Sequence, residues 1–168
     1  MERKQGKMDQ FHEKVATYQQ RVRDFMDQAR GWCTAHGLRV DEIPTHVLES
    51  YTPQYEARSM RILTADSDIP IAELLPTGSA IIGAQGRIDL KGRLARHAFL
   101  YQTGKGPGIG MTATAADGTV SREAPTPIYS GIDGDGWYWY EASIRKAKRV
   151  DEALFLDLIT DVSDHEFQ

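Results

Sequence analysis

The clearest pattern in the chain is an apolar stripe near its start. Seven apolar residues recur at alternating spacings of four and three, and they are Phe11, Val15, Tyr18, Val22, Phe25, Ala29 and Trp32. Because residues three and four apart share one face of an α-helix, this spacing predicts a helix. Asp9 suits its N-cap, and Gly37 suits the left-handed residue that closes a helix. We therefore predict a long N-terminal helix over residues 9–36.

Further along, apolar and polar positions alternate with a period of two. The alternation starts after residue 78, and only three of the fifteen glycines lie before that point. Alternating segments separated by glycine turns are typical of antiparallel strands. We predict a β-meander of about five or six strands over residues 78–142. Its first hairpin is expected to turn at Gln85-Gly86, between strands at 80–84 and 87–91.

The segment between these two regions has a weaker pattern. Residues 38–77 contain four prolines, which interrupt any long helix or central strand. Short strands are expected at 38–40 and 59–63, and either a strand or a helical turn at 71–75.

The chain closes with a second apolar stripe at helical spacing. Its members are Val150, Leu154, Phe155, Leu158, Ile159 and Val162. Asp151 is placed to cap this helix, and Glu152 suits its first turn. With a helix at 151–163, the chain is predicted to be a single α+β domain of residues 1–168.

Composition and charge exclude several classes of protein. The chain has 168 residues, a formal charge of −4 and one cysteine, Cys33. One cysteine excludes an intramolecular disulfide and a cysteine-rich zinc site, which favours a reducing, cytoplasmic location. No apolar run approaches the ~20 residues of a membrane span, and the charged N-terminus does not resemble a secretory signal. The mild acidity makes nucleic acid an unfavoured partner.

Catalytic motifs are absent from the sequence. It contains no G-x-S-x-G, H-E-x-x-H, C-x-x-C or phosphate-loop pattern, and its five histidines are scattered. Active sites also assemble across a fold, so an enzyme is not excluded. The prediction is a non-enzyme that holds no cofactor and no metal.

Three local features resemble parts of known sites. Cys33 and His36 share a helix face, residues 104–110 form a glycine-rich run, and residues 133–136 alternate aspartate with glycine. The first is better explained by a buried thiol beside a polar final turn. The second lacks the strand-to-helix context of a phosphate loop, and the third lacks the later ligands of a calcium loop. We expect a hairpin loop and a tight turn at these two places.

The first functional hypothesis follows from the N-terminal helix. At ~1.5 Å per residue it is longer than a small domain is wide, so its N-terminal part is expected to project. Exposed apolar contacts are then expected at Phe11, Val15, Tyr18 and Val22. This predicts a non-catalytic accessory or adaptor protein that binds another protein, or a second copy of itself, through this helix.

The alternative hypothesis is a small ligand-binding module or enzyme with a site on the sheet. Trp137 and Trp139 share one face of a predicted strand, where they can stack on a ligand. Arg87, Asp89 and His97 supply polar groups for such a site. Arg87 and Asp89 lie two apart on one strand and therefore face the same way.

Basic residues also cluster along the predicted sheet. They are Arg87, Lys91, Arg93, Arg96 and Lys105, with Asp89 as the opposing acid over that span. Such a cluster can hold nucleic acid or an acidic ligand, or it can remain solvated and neutralise neighbouring acids.

Overall fold

The computed structural model of the protein describes residues 2–50, 52–110, 112–122 and 126–168. A long helix, α1 (Glu2–Ala35), comes first, and a shorter one, α2 (Glu152–Ser163), comes last. The predicted start of the first helix at residue 9 is wrong, because α1 begins at Glu2 and Asp9 lies inside it rather than at its N-cap. The apolar stripe starts only at Phe11, so the polar first turns give no periodic signal. The strands of the main sheet are β1 (Arg39–Val47), β2 (Tyr55–Leu63), β3 (Ala72–Gly78), β4 (Arg87–Gly92), β5 (Arg96–Gln102), β10 (Gly136–Glu141) and β11 (Lys146–Arg149). The predicted α+β fold is confirmed.

The seven strands are ordered β1-β2-β3-β4-β5-β10-β11, and every neighbouring pair is antiparallel. Two short ribbons are inserted between β5 and β10. One pairs β6 (Gly108–Ile109) with β9 (Thr126–Pro127), and the other pairs β7 (Thr112–Thr114) with β8 (Val120–Arg122). The region of the predicted meander also includes Met111, which lies outside the described residues. A short 3₁₀ helix (Ala142–Ile144) separates β10 from β11.

The sheet begins much earlier than residue 78, because residues 39–78 supply three of its strands. Prolines are tolerated there for a positional reason. Pro44 lies in β1, an edge strand, where one side of the backbone needs no partner. The pairing of β3 with β2 ends at Leu74, so Pro76 lies beyond it. Pro76 also lies beside a shift in the register between β3 and β4.

The predicted strand at 80–84 and its hairpin at Gln85-Gly86 are wrong. Residues 79–86 form a loop closed by an isolated bridge between Ile81 and Ala84, with Gly83 in the left-handed region. The Gln85 amide donates to Tyr101 O at 2.8 Å, and the Tyr101 amide donates to Gly86 O at 2.9 Å. The backbone at 85–86 therefore already runs alongside β5 and cannot turn there.

Both helices pack on one face of the sheet. The residues of α1 buried there are Tyr18, Val22, Phe25, Met26, Ala29 and Cys33. Phe25 lies at the centre, with ring centroids 5.6 Å from Phe99 of β5, 5.7 Å from Trp137 of β10 and 6.2 Å from Phe155 of α2. None of the described helices is long and apolar enough to cross a membrane.

The start of α2 is fixed as predicted. Asp151 is its N-cap, with Oδ1 accepting from the Leu154 amide at 2.9 Å. At the other end the Val162 carbonyl accepts from the Leu94 amide at 2.9 Å, which joins α2 to the β4–β5 turn. Phe155, Ile159 and Val162 are fully buried against the sheet.

The opposite face of the sheet, called here the open face, is not covered by either described helix. Ile88 and Leu90 of β4 belong to the core beneath the helices. Because successive strand residues point to opposite faces, Arg87, Asp89 and Lys91 lie on the open face.

Candidate functional site

A groove runs between the first half of α1 and two loops of the sheet, one described at residues 48–50 and 52 and the other at residues 79–85. It consists of two adjoining hollows that share Ala80 and Ile81. One hollow lies against α1 and is lined by Gln10, Glu13, Lys14, Thr17 and Arg21 on the helix side. The other lies between Phe11, Leu48 and Thr52. We call the two together the α1 groove.

Large apolar side chains stand unburied at this groove. Ile82 is fully exposed, Leu48 is 78% exposed, and Phe11 and Ile81 are half-buried. One exposed apolar side chain is ordinary on a protein surface, but a group of them around one groove is typical of an interaction site.

Glu49 holds the two loops together. Its Oε1 accepts from the Ser79 amide at 2.9 Å and the Ala80 amide at 2.7 Å. Its Oε2 accepts from the Ser79 hydroxyl at 2.9 Å and from the Tyr55 hydroxyl. Charge-assisted hydrogen bonds of this kind are among the stronger ones in proteins. A single carboxylate therefore fixes the 79–80 backbone against the loop that contains Leu48, Glu49 and Ser50.

The far end of the 79–85 loop is fixed as well. Gln102 is buried in β5, and its Nε2 donates to the Gly83 carbonyl at 2.7 Å. The loop is thus held at Ser79, Ala80 and Gly83. Ile82 is left pointing outward on a tightly held turn, so its exposure is built into the loop geometry.

Tyr18 joins α1 to the same region. Its hydroxyl donates to the Arg87 carbonyl at 2.6 Å and accepts from the Gly78 amide at 3.2 Å. Burial raises the pKa of Tyr18 and also that of Tyr55, whose ring lies edge-on to it at 6.3 Å. Both phenols therefore remain neutral hydrogen-bond donors.

The predicted contact residues of the N-terminal helix divide at this tyrosine. Tyr18 and Val22 are fully buried in the protein's own core, so they are not the exposed contacts that the sequence predicts. The reason is that α1 lies on the sheet from Tyr18 onward. Phe11 and Val15 are half-buried, and residues 3–10 are all exposed. The sequence reasoning missed Leu48 and Ile82, which belong to loops.

The residues of the alternative site are not brought together. Trp137 is 8% exposed and packs in the core beneath the helices, and Trp139 and His97 also lie on the helix face. Arg87 and Asp89 lie on the open face. The sheet itself separates the two groups, so the five residues do not form one site.

His97 has no free ring nitrogen for catalysis. Its Nε2 lies 2.5 Å from Asp161 Oδ2, and its Nδ1 accepts from Trp139 Nε1 at 3.2 Å. An acceptor at Nδ1 requires the tautomer with the proton on Nε2, which donates to the Asp161 carboxylate. His97 therefore connects β5, β10 and α2.

Arg87 and Asp89 do form a contact. Arg87 Nε donates to Asp89 Oδ1 at 2.6 Å, and Nη2 donates to Oδ2 at 3.2 Å. The hydrogen bond to Asp89 raises the pKa of Arg87, which therefore stays charged.

The three local motifs have structural roles. Cys33 is fully buried, and burial raises the pKa of its thiol to about 12, which removes the thiolate needed for nucleophilic attack. Gly104 and Gly106 adopt positive φ in the loop after β5. At residues 133–136 the carbonyls of Asp133 and Asp135 accept from Arg149 at 2.8 and 2.9 Å. Among the described residues, no group of three or more His, Cys, Asp or Glu is placed to hold a metal.

Comparison with protein-family models, with curated protein sequences and with solved structures finds no match for this chain. In the α1 groove the carboxylate of Glu49 is occupied by four hydrogen bonds within the protein. What the groove presents outward is an apolar surface with a polar helix beside it.

Proposed function

We propose that the protein is a non-catalytic, protein-binding accessory protein whose α1 groove receives an apolar segment of another protein. The observation that carries this proposal is the fully exposed side chain of Ile82, on a loop fixed by Glu49 and Gln102. Burial of an exposed aliphatic side chain in an interface yields ~25 cal/mol per Å². A rigid loop adds little ordering cost to that gain.

The surroundings of Ile82 support an extended or helical peptide as the occupant. Leu48 and Phe11 supply further apolar contacts along the groove. The polar side of the groove is the α1 surface, where Glu13, Lys14 and Arg21 offer charges of both signs. An apolar centre with a polar rim is the usual composition of a protein interface.

A ligand-binding site around Trp137 is less well supported. The indole of Trp137 is packed against Phe25 and Tyr101, and Trp139 is engaged with His97. Neither ring presents a free face to a ligand together with Arg87 and Asp89. The groove is therefore the better basis for a function.

The proposal is tested with peptides selected from a random phage-displayed library on the full chain. We expect the selected peptides to be rich in apolar residues. Ile82→Asp is expected to weaken their binding, measured by fluorescence anisotropy, by at least about tenfold, because the loss of a buried interface anchor costs ~1.4 kcal/mol or more. Ile69→Asp is the matched control, since Ile69 is 76% exposed and lies outside the groove.

Two results would contradict the proposal. One is that the selected peptides bind Ile82→Asp as tightly as the parent protein. The other is that sedimentation shows a dimer of the parent chain that Ile82→Asp dissociates. In that case a second copy, and not another protein, occupies the groove.

A further inference from the structure

The open face of the sheet carries a cluster of charges that the α1 groove does not use. Asp89, at the centre of β4, is only 1% exposed. Arg87 contacts both of its oxygens, and Arg96 Nε and Nη2 reach Oδ2 at 2.7 and 2.6 Å. One buried carboxylate is therefore shared by two guanidinium groups, whose side chains are 40% and 50% exposed.

This arrangement has no evident role in holding the fold together. Asp89 lies on the face away from the helices, whereas its neighbours Ile88 and Leu90 form the core. Burying a carboxylate is costly, and an apolar residue in place of a buried ion pair is often as stable or more so. What the carboxylate does achieve is to hold Arg87 and Arg96 in fixed orientations.

The fixed guanidinium groups keep donors free. Each guanidinium group contacts the Asp89 carboxylate through its Nε and Nη2 atoms. Within the described part of the chain, no hydrogen-bond partner is found for Nη1 of either arginine. Positioned arginine forks of this kind match the geometry of a carboxylate.

The open face as a whole has a small excess of positive charge. Strand register places five charged residues side by side in one row, and they are Asp41, Arg61, Glu73, Lys91 and Arg96. With Arg87 and Asp89 in the rows beside it, four basic side chains stand against three acidic ones. The whole chain, in contrast, has a formal charge of −4. This face therefore attracts anions although the molecule as a whole is acidic.

The uncharged residues of the face distinguish between classes of anionic partner. Leu75 and Ala98 flank Asp89, and Leu100 lies opposite Arg87. These aliphatic side chains suit a polypeptide. Recognition of unpaired bases relies on aromatic stacking. The nearest aromatic rings are occupied, since Tyr138 is buried and Tyr140 is stacked on Tyr129 at 4.4 Å.

We propose that the open face is a second binding surface, which takes an acidic polypeptide segment and pairs its carboxylates with Arg87 and Arg96. Aliphatic residues of the segment contact Leu75, Ala98 and Leu100. Asp89 acts as a positioning residue for the two arginines. The surface is separate from the α1 groove, and Ile82→Asp is expected to leave it intact.

The test uses a fluorescein-labelled peptide of glutamate, leucine and serine, and the same peptide with glutamine in place of glutamate. We expect the full chain to bind the first peptide and not the second. Arg96→Gln is expected to weaken binding by about tenfold or more. Lys105→Gln, which removes the same charge from an exposed loop, is the matched control and should change binding by less than about twofold.

Asp89→Asn separates positioning from simple charge. This substitution removes a negative charge, so a surface that attracts anions only by net charge would bind the glutamate peptide more tightly. The proposal expects weaker binding, because the arginines lose their anchor. Arg96→Lys keeps the positive charge but removes the planar guanidinium group, so the proposal again expects weaker binding of the glutamate peptide. This variant tests the proposal if Asp89→Asn does not fold. Circular dichroism establishes that each variant is folded.

Three results would overturn the proposal. They are equal binding of the glutamate and glutamine peptides, unchanged or tighter binding by both Asp89→Asn and Arg96→Lys, and displacement of the peptide by a single-stranded oligonucleotide at lower concentration than by unlabelled peptide. The last would assign the face to nucleic acid. None of these results tests the α1 groove, which is tested separately with the peptides selected from the phage-displayed library.

Discussion

At the scale of single residues, Tyr18 divides α1 into a part that belongs to the core and a part that does not. Its ring is buried, and its hydroxyl bonds the Arg87 carbonyl and the Gly78 amide on two strands. Residues 3–17 of the helix are all exposed or half-buried. This one side chain marks where the buried part of the helix begins.

Tyr18→Phe tests that role. The ring still packs, but two buried backbone groups lose a partner, so we expect the free energy of unfolding to fall by about 1–3 kcal/mol. Tyr101→Phe is the control, because no hydrogen bond of the Tyr101 hydroxyl is found among the described residues, and we expect a loss below ~0.5 kcal/mol. Urea denaturation measures both. Equal losses in the two variants would show that the Tyr18 hydroxyl contributes nothing specific.

At the scale of elements, α2 is attached to the sheet through a very close approach. A Cβ built on Gly92 of β4 would lie 2.2 Å from the carbonyl oxygen of Val162. The same carbonyl accepts from the Leu94 amide. Backbone therefore packs on backbone at this point, with no room for a side chain.

Gly92→Ala is expected to destabilise the protein by about 1–3 kcal/mol or more, because the helix end must move away from the sheet. Gly31→Ala serves as the opposite control. Nothing lies within 4 Å of the Cβ position of Gly31, and alanine on an exposed helix surface should raise stability by up to ~1 kcal/mol. Thermal unfolding of Gly92→Ala and Gly31→Ala measures both changes in stability. A neutral Gly92→Ala would mean that α2 does not dock as closely as described.

The elements also show what local pattern can and cannot predict. Both helices, and the strands β4, β5 and β10, follow from periodicity because each has one face on the same core. The strand order places Pro44 in an edge strand, and the local sequence does not predict which strand lies at the edge. The apolar pair Ile81-Ile82 has the composition of a strand. It becomes a loop because Glu49, some thirty residues away, holds the Ser79 and Ala80 amides.

The candidate sites are predictable to a smaller extent. Phe11 and Val15 follow from the stripe and the length of the helix, but the stripe alone does not show that Tyr18 and Val22 are covered by the sheet. Alternation correctly places Arg87 and Asp89 on one face. It does not reveal Arg96 as their partner, because that pairing depends on the register of β4 with β5.

At the scale of the whole molecule, the first turns of α1 contribute little to the fold. The side chains of residues 3–10 are all exposed. Deleting residues 1–10 is therefore expected to leave the midpoint of thermal unfolding within about 2 °C, since surface changes cost less than ~0.5 kcal/mol. A larger fall would show that these turns stabilise the sheet. A full-length chain with Arg3, Lys4 and Lys7 changed to Gln controls for the change in charge.

The two faces of the sheet differ in what covers them. One is covered by α1 and α2 over an aromatic core. The other presents basic and aliphatic side chains on β3, β4 and β5, and at β10 and β11 it is covered by the small apolar cluster of Ile132, Tyr138 and Ala147. The two proposed surfaces thus lie in different parts of the protein.

The order of elements along the chain has a consequence for biosynthesis. The ribosome releases α1 and then β1 to β5, each strand able to pair with the one before it. Phe99 and its neighbours, however, are covered by Phe155, Ile159 and Val162 of α2, which follows every strand of the sheet in the chain. During translation the nascent sheet therefore carries an uncovered apolar strip until α2 has left the ribosome, and transiently exposed apolar surface of this kind is prone to aggregation.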